Sequence, residues 1–123
     1  TIDAVFAALE KGDSAALLRL VDAEGRVTAV GRLRDGSAGV RRESFAGYAA
    51  RMKIGQGFIE RITTPKVEID ADIAMVWAPF RIVADGKVVS CGYDHFDLIR
   101  EKGAWTLVNI TFSTRTDCAP SGR

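Results

Sequence analysis

Residues 73–116 read IAMVWAPFRIVADGKVVSCGYDHFDLIREKGAWTLVNITFSTRT, and the fold depends on where this stretch turns. Asp85-Gly86 and Lys102-Gly103 are pairs that accept the positive φ a two-residue hairpin turn requires. They divide the stretch into strands over Ile73–Ala84, Val88–Arg100 and Ala104–Thr116. Strands of about a dozen residues exceed the usual length in a globular sheet, and a long twisted sheet curls. A curled sheet has a concave side that other elements must fill or line.

Two-residue turns fix a register. Through Asp85-Gly86, Ala84 faces Lys87, Trp77 faces Asp94 and Met75 faces Phe96. Through Lys102-Gly103, Asp94 faces Thr111 and Phe96 faces Asn109. Side chains alternate, so Met75, Trp77, Asp94, Phe96, Asn109 and Thr111 share one face. Phe80, Ile82, Val89, Tyr93, His95, Val108, Ile110 and Phe112 share the other. Neither row is polar enough to face water, which predicts that both are covered, the first by helices. A bulge in the third strand would exchange Asn109 and Thr111 for Val108 and Ile110.

Upstream, Ile2, Val5, Phe6 and Leu9 recur at helical spacing. Gly12 ends that helix, and Asp13 caps a second over Ser14–Val21 with Leu17, Leu18 and Val21 facing inward. Val27–Arg34 reads as a short strand ended by Asp35-Gly36. A third helix near Arg42–Met52 carries Phe45, Tyr48, Ala49 and Met52 on one face. A strand over Phe58–Ile69, broken or bulged at Pro65, turns through Asp70-Ala71-Asp72 into the meander. The order predicts one α+β domain over residues 1–123. Three N-terminal helices lie across a long, curved, mainly antiparallel sheet and close a cone with a pocket.

The chain has 123 residues, 47% hydrophobic and 27% charged, an ordinary globular composition. Lys plus Arg number 17 and Asp plus Glu 16, so a net charge of +1 gives no footprint for nucleic acid or an anionic membrane. No apolar run nears the roughly 20 residues of a membrane span. Cys91 and Cys118 fit no metal or redox spacing and read as free thiols rather than a disulfide, which favours a reducing, cytoplasmic setting. The start at Thr1 without Met leaves a trimmed leader and export open.

Cys91-Gly92-Tyr93-Asp94-His95-Phe96-Asp97-Leu98, followed by Gly103-Ala104-Trp105-Thr106-Leu107 and Ser113-Thr114-Arg115, resembles small SnoaL-like bacterial proteins. The element order resembles the same group, the nuclear transport factor 2-like superfamily, over nearly the whole chain. The resemblance implies a cystatin-like fold. Through the ketosteroid isomerases of that superfamily it also implies that Asp94 projects into a pocket, holds its proton and donates to a developing oxyanion. Those enzymes place a second carboxylate on the first strand, where this chain reads Val27-Thr28-Ala29-Val30.

His95, the single histidine, alternates with Asp94 and cannot form a dyad with it. Cys91 and His95 lie about 13 Å apart along a strand, too far to share a metal at roughly 2.0–2.3 Å per ligand. No metal and no cofactor is expected. Neither a nucleophile motif, a phosphate loop nor a pair of carboxylates on one face stands out. Asp94 is either a buried carboxylate satisfied by Thr111, an indole N–H or water, or a ligand-binding group whose pKa burial raises. The second reading makes Asp94 the catalytic candidate. Trp77, Met75, Phe96, Asn109, Thr111, Tyr48 and Met52 are then the ligand-binding candidates. The ligand would be a hydrophobic or aromatic carbonyl compound, and the chemistry of isomerase, cyclase or dehydratase type. Against it stands a non-catalytic module that forms a homodimer, or docks on a partner, through Phe80, Ile82, Val89, Tyr93, Val108, Ile110 and Phe112.

Overall fold

A computed structural model describes residues 1–32, 36–50 and 58–118. Within them lie helices α1 (Ile2–Lys11), α2 (Ser14–Leu20) and α3 (Phe45–Ala50). The strands are β1 (Val21–Arg32), β2 (Ala38–Ser44), β3 (Phe58–Ile62), β4 (Lys66–Asp70), β5 (Ile73–Ala84), β6 (Lys87–Glu101) and β7 (Ala104–Thr114). Gly12 ends α1 at φ 68°, and Asp13 caps α2 by accepting from the Ala16 N–H at 3.0 Å. Leu17 is buried, but Leu18, expected inward, points to solvent.

The segment between α2 and α3 holds an antiparallel pair of strands where the sequence predicts a single short one. Residues 22–25 continue β1, and Arg42 to Ser44 end β2 instead of opening a helix. The helix starts at Phe45, because the Ser44 hydroxyl accepts from the Gly47 N–H at 3.0 Å and fixes the first turn. The strand expected at Phe58–Ile69 is split into β3 and β4 around Thr64, at φ 39°, and both halves pair with β5. The sheet order is β2-β1-β7-β6-β5-β3, with β4 also on β5. β1 and β7 run parallel, so the sheet is mixed.

Both hairpin turns are as expected: Asp85 and Gly86 take φ 52° and 76°, Lys102 and Gly103 φ 52° and 80°. The expected register holds next to each turn, through Val83 opposite Val88 and Leu98 opposite Leu107. It then fails in both hairpins. Ile82 pairs with Ser90, leaving Val89 as an extra residue, and Asp97 pairs with Asn109, leaving Val108 as another. These are β-bulges, and each inserted residue reverses the pairing of faces beyond it. Trp77 therefore faces His95 rather than Asp94, and Asp94 faces Ala78 and Phe112.

The helices cover the face that carries Asp94. Val5, Ala8, Leu17, Phe45 and Ala49 join Val76, Phe96, Leu98 and Leu107 in one buried cluster. Fully burying side chains such as Phe45, Phe96 and Leu107 stabilises by about 1.5–3 kcal/mol each. Phe6 of α1 meets Phe96 edge-on at 5.8 Å. Gly25 lets α3 sit on the sheet, since a Cβ there would lie 1.9 Å from the Val108 carbonyl oxygen and 2.6 Å from the Phe45 ring. Among the described residues no helix is long and apolar enough to cross a membrane.

Candidate functional site

Asp94 sits mid-sheet on β6, 2% exposed, between Ala78 of β5 and Phe112 of β7. Phe96 follows it on the same face, and Gly92 precedes it. The Asp94 Oδ2 is buried and receives no hydrogen bond from an N–H or hydroxyl. The partner of the carboxyl is another carboxyl. Glu60, half-buried on β3 at the far side of β5, is the neighbouring carboxyl whose charge and hydrogen-bonding capacity act on Asp94. Ionised carboxylates are acceptors only, so the two can hydrogen-bond to one another only while one of them holds a proton. Burial holds the Asp94 pKa well above the usual carboxylate range, and the charge and hydrogen bond of Glu60 raise it further. Burial raises Glu60 as well, but the bond from Asp94 pulls it back down. Asp94 is thus the group that keeps the proton and Glu60 the one that yields it first. A proton donor and a proton acceptor stand together in apolar surroundings.

Solved structures show what this architecture is, whereas no protein-family model and no curated protein matches the chain. A protein of unknown function with a cystatin-like fold from Nostoc punctiforme superimposes with a TM-score of 0.74, at 10% identity over 94% of this chain and 86% of its own. A nuclear transport factor 2-like protein with a cystatin-like fold from Novosphingobium aromaticivorans gives 0.73, at 16% identity over 96% and 79%. The chain has the nuclear transport factor 2-like fold. A candidate ketosteroid isomerase from Shewanella frigidimarina shares it, with a TM-score of 0.66 at 21% identity over 91% and 90%. At such identities the likeness concerns architecture, and the chemistry must be read from the site.

Within this nuclear transport factor 2-like sheet, the sequence-derived site is divided between two faces. Asp94 and Phe96 lie on the helix-facing side, Phe96 being packed into the core against Phe6. Tyr48 of α3 is half-buried at the margin of the same cluster. Met75, Trp77, Asn109 and Thr111 were expected beside Asp94 and instead lie on the opposite, outer face, reversed by the bulges at Val89 and Val108. Trp77 stacks on Tyr93 at 5.0 Å and meets His95 edge-on at 6.3 Å. Asn109 donates to Asp97 Oδ2 at 3.1 Å and accepts from the Arg26 N–H at 3.2 Å. Met52 lies outside the described residues. The bulges also turn inward the apolar row expected outside: Phe80 is 2% exposed and faces Phe112 at 5.8 Å, while Tyr93 and His95 remain outward as expected.

Two further corrections concern chemistry. On the sequence alone no pair of carboxylates shares a face, yet Glu60 and Asp94 are close enough to act on one another. Alternation in Phe58-Ile59-Glu60-Arg61-Ile62 puts Glu60 in a row with Phe58 and Ile62, a lone acid in an apolar row like Asp94 itself. The cysteines, read as free thiols, are joined as the disulfide Cys91–Cys118. Among the described residues no group of three His, Cys, Asp or Glu side chains is arranged to hold a metal.

Proposed function

We propose that residues 1–123 act as one ligand-binding domain, in which the helix-facing side of the sheet receives a hydrophobic or aromatic carbonyl compound at the Asp94–Glu60 pair. The observation that supports this reading is the pair itself, two neighbouring carboxyls whose pKa values burial raises, Asp94 with a buried oxygen that has no hydrogen-bond partner. Protonated Asp94 donates to the carbonyl oxygen, and Glu60 takes a proton from the carbon beside it. The resulting enolate is held by the Asp94 hydrogen bond, the opening step common to isomerase, cyclase and dehydratase chemistry. The likeness in fold to a candidate ketosteroid isomerase is in keeping with this. Calorimetry with a panel of aromatic ketones and phenols tests binding, and deuterium uptake at the carbon beside the ketone tests the proton transfer. Glu60→Gln should retain binding and lose deuterium uptake, by the 10²–10⁴-fold typical of general base removal, roughly. Asp94→Ala should lose binding while Asp94→Asn, which keeps a donor, retains part of it. Equal binding by both Asp94 variants and the parent would make the pair structural.

A second reading is carried by the outer face, where Ile73, Met75, Trp77 and Tyr93 are exposed around the stacked Trp77–Tyr93 rings. A clustered apolar face of this kind marks an interaction site, and a two-fold homodimer is its commonest cover. Of the residues expected from sequence to form that surface, Tyr93 keeps its place. Light scattering should give twice the 13.3 kDa of one chain at micromolar concentration, and a monomer mass would overturn the reading.

A further inference from the structure

The pairing of β6 with β7 changes character near the end of the sheet that carries the Asp85–Gly86 turn. The regular ladder stops at Asp94 opposite Phe112. Beyond it, the Tyr93 N–H turns to the Ser113 hydroxyl at 3.0 Å, and Gly92 lies so close to β7 that a Cβ would stand 2.1 Å from the Ser113 carbonyl oxygen. One isolated bridge follows, in which Cys91 and Arg115 exchange backbone hydrogen bonds of 3.1 and 2.9 Å. Arg115, Thr116 and Asp117 are exposed, and the Arg115–Asp117 ion pair at 3.7 Å is a surface contact worth little. Among the described residues, that bridge and the disulfide are what hold residues 115–118, and the disulfide is the only covalent tie. Its two ends differ. Cys91 is buried in β6 and paired to Arg81 of β5, whereas Cys118 is partly accessible at the end of the described tail.

We infer that the Cys91–Cys118 disulfide is a redox-operated strap, which when reduced releases residues 115–118 from β6 while the rest of the sheet stays folded. This goes beyond the ligand-binding reading and does not depend on it. The thiolate of a small monothiol reductant attacks Cys118 Sγ, forming a mixed disulfide and expelling the Cys91 thiolate, which takes up a proton. A second reductant thiolate then cleaves the mixed disulfide and leaves Cys118 as a thiol. Two electrons and two protons pass to the protein, and the reductant departs as its own disulfide. In a reducing compartment a disulfide of this kind is transient and redox-sensing rather than a permanent staple.

The test combines thiol labelling with amide hydrogen exchange on the full chain, oxidised and after treatment with millimolar glutathione. Two thiols should appear under native conditions. Exchange at the Cys91 and Arg115 amides should rise roughly tenfold or more, with the amides of Phe96 and Leu107 unchanged. Cys118→Ser without reductant should reproduce the reduced pattern. Global unfolding on reduction would show a staple and overturn the strap. Unchanged exchange at Cys91 and Arg115, in the reduced protein or in Cys118→Ser, would overturn it as well.

Discussion

At the scale of single residues, burial raises both Asp94 and Glu60, and each then acts on the other, Glu60 raising Asp94 further and Asp94 lowering Glu60. Both pKa values lie above the ordinary ones in the folded chain, so the folded chain binds more protons than the unfolded chain in the window between. Their contribution to stability is whole below the ordinary carboxylate range and is lost as pH rises through the raised folded values. Asp94→Asn removes the ionisation and keeps a donor of nearly equal volume. It should stabilise the protein at neutral pH by roughly 1–3 kcal/mol, read from urea unfolding, and the gain should vanish in acid. Asp94→Ala deletes the bond that lowers Glu60, so the Glu60 pKa should climb in a carboxyl NMR titration, and it should not climb in Asp94→Asn. Asp94 was legible in the sequence because an acid alone in the apolar row on one face of a long strand stands out. Glu60 has the same mark in a five-residue strand beside Arg61, and nothing in the linear order shows that β3 reaches across β5 to β6.

At the scale of elements, the turns were legible and the bulges were not. Asp-Gly and Lys-Gly announce their own backbone geometry, since a positive φ is a local demand. Val89 and Val108 are β-branched residues among other strand formers, so nothing in their own preference marks them as the inserted residues of a bulge. That one residue per hairpin moved Trp77, Met75, Asn109 and Thr111 away from Asp94 and brought Phe80, Ile110 and Phe112 to its side. Gly92 marks the same crowding, where β6 and β7 approach too closely for a side chain. Gly92→Ala should cost about 1–3 kcal/mol by overpacking against backbone that cannot swing aside. Gly103→Ala meets nothing within 4 Å and bears only the strain of φ 80°, about 1–2 kcal/mol. Thermal unfolding of the two variants ranks them. A Gly92→Ala protein as stable as the parent would contradict the close approach.

At the scale of the whole molecule, helices first and a long meander last were enough to anticipate an α+β chain with its helices on one sheet face. The parallel pairing of β1 with β7 was not legible, because it joins residues that are distant in sequence and no local signal encodes it. The outer face follows from that arrangement: with the helices all on the Asp94 side, Ile73, Met75, Trp77 and Tyr93 are left without cover from the described residues. If a second copy covers them, the stacked Trp77–Tyr93 pair lies near the centre of the interface, where large aromatic anchors dominate binding energy. Trp77→Lys puts a charge there and removes the stack. The loss should reach about 2 kcal/mol, which is roughly a thirtyfold rise in the dimer dissociation constant, measured by analytical ultracentrifugation. The far-ultraviolet circular dichroism should not change, because Trp77 is 43% exposed and lies on the face away from the core. Val67→Lys is the control, an exposed apolar residue of β4 opposite Val76, on the other face of the sheet. It should leave the dissociation constant as it is, and an equal weakening by both substitutions would place the contact somewhere other than the aromatic face.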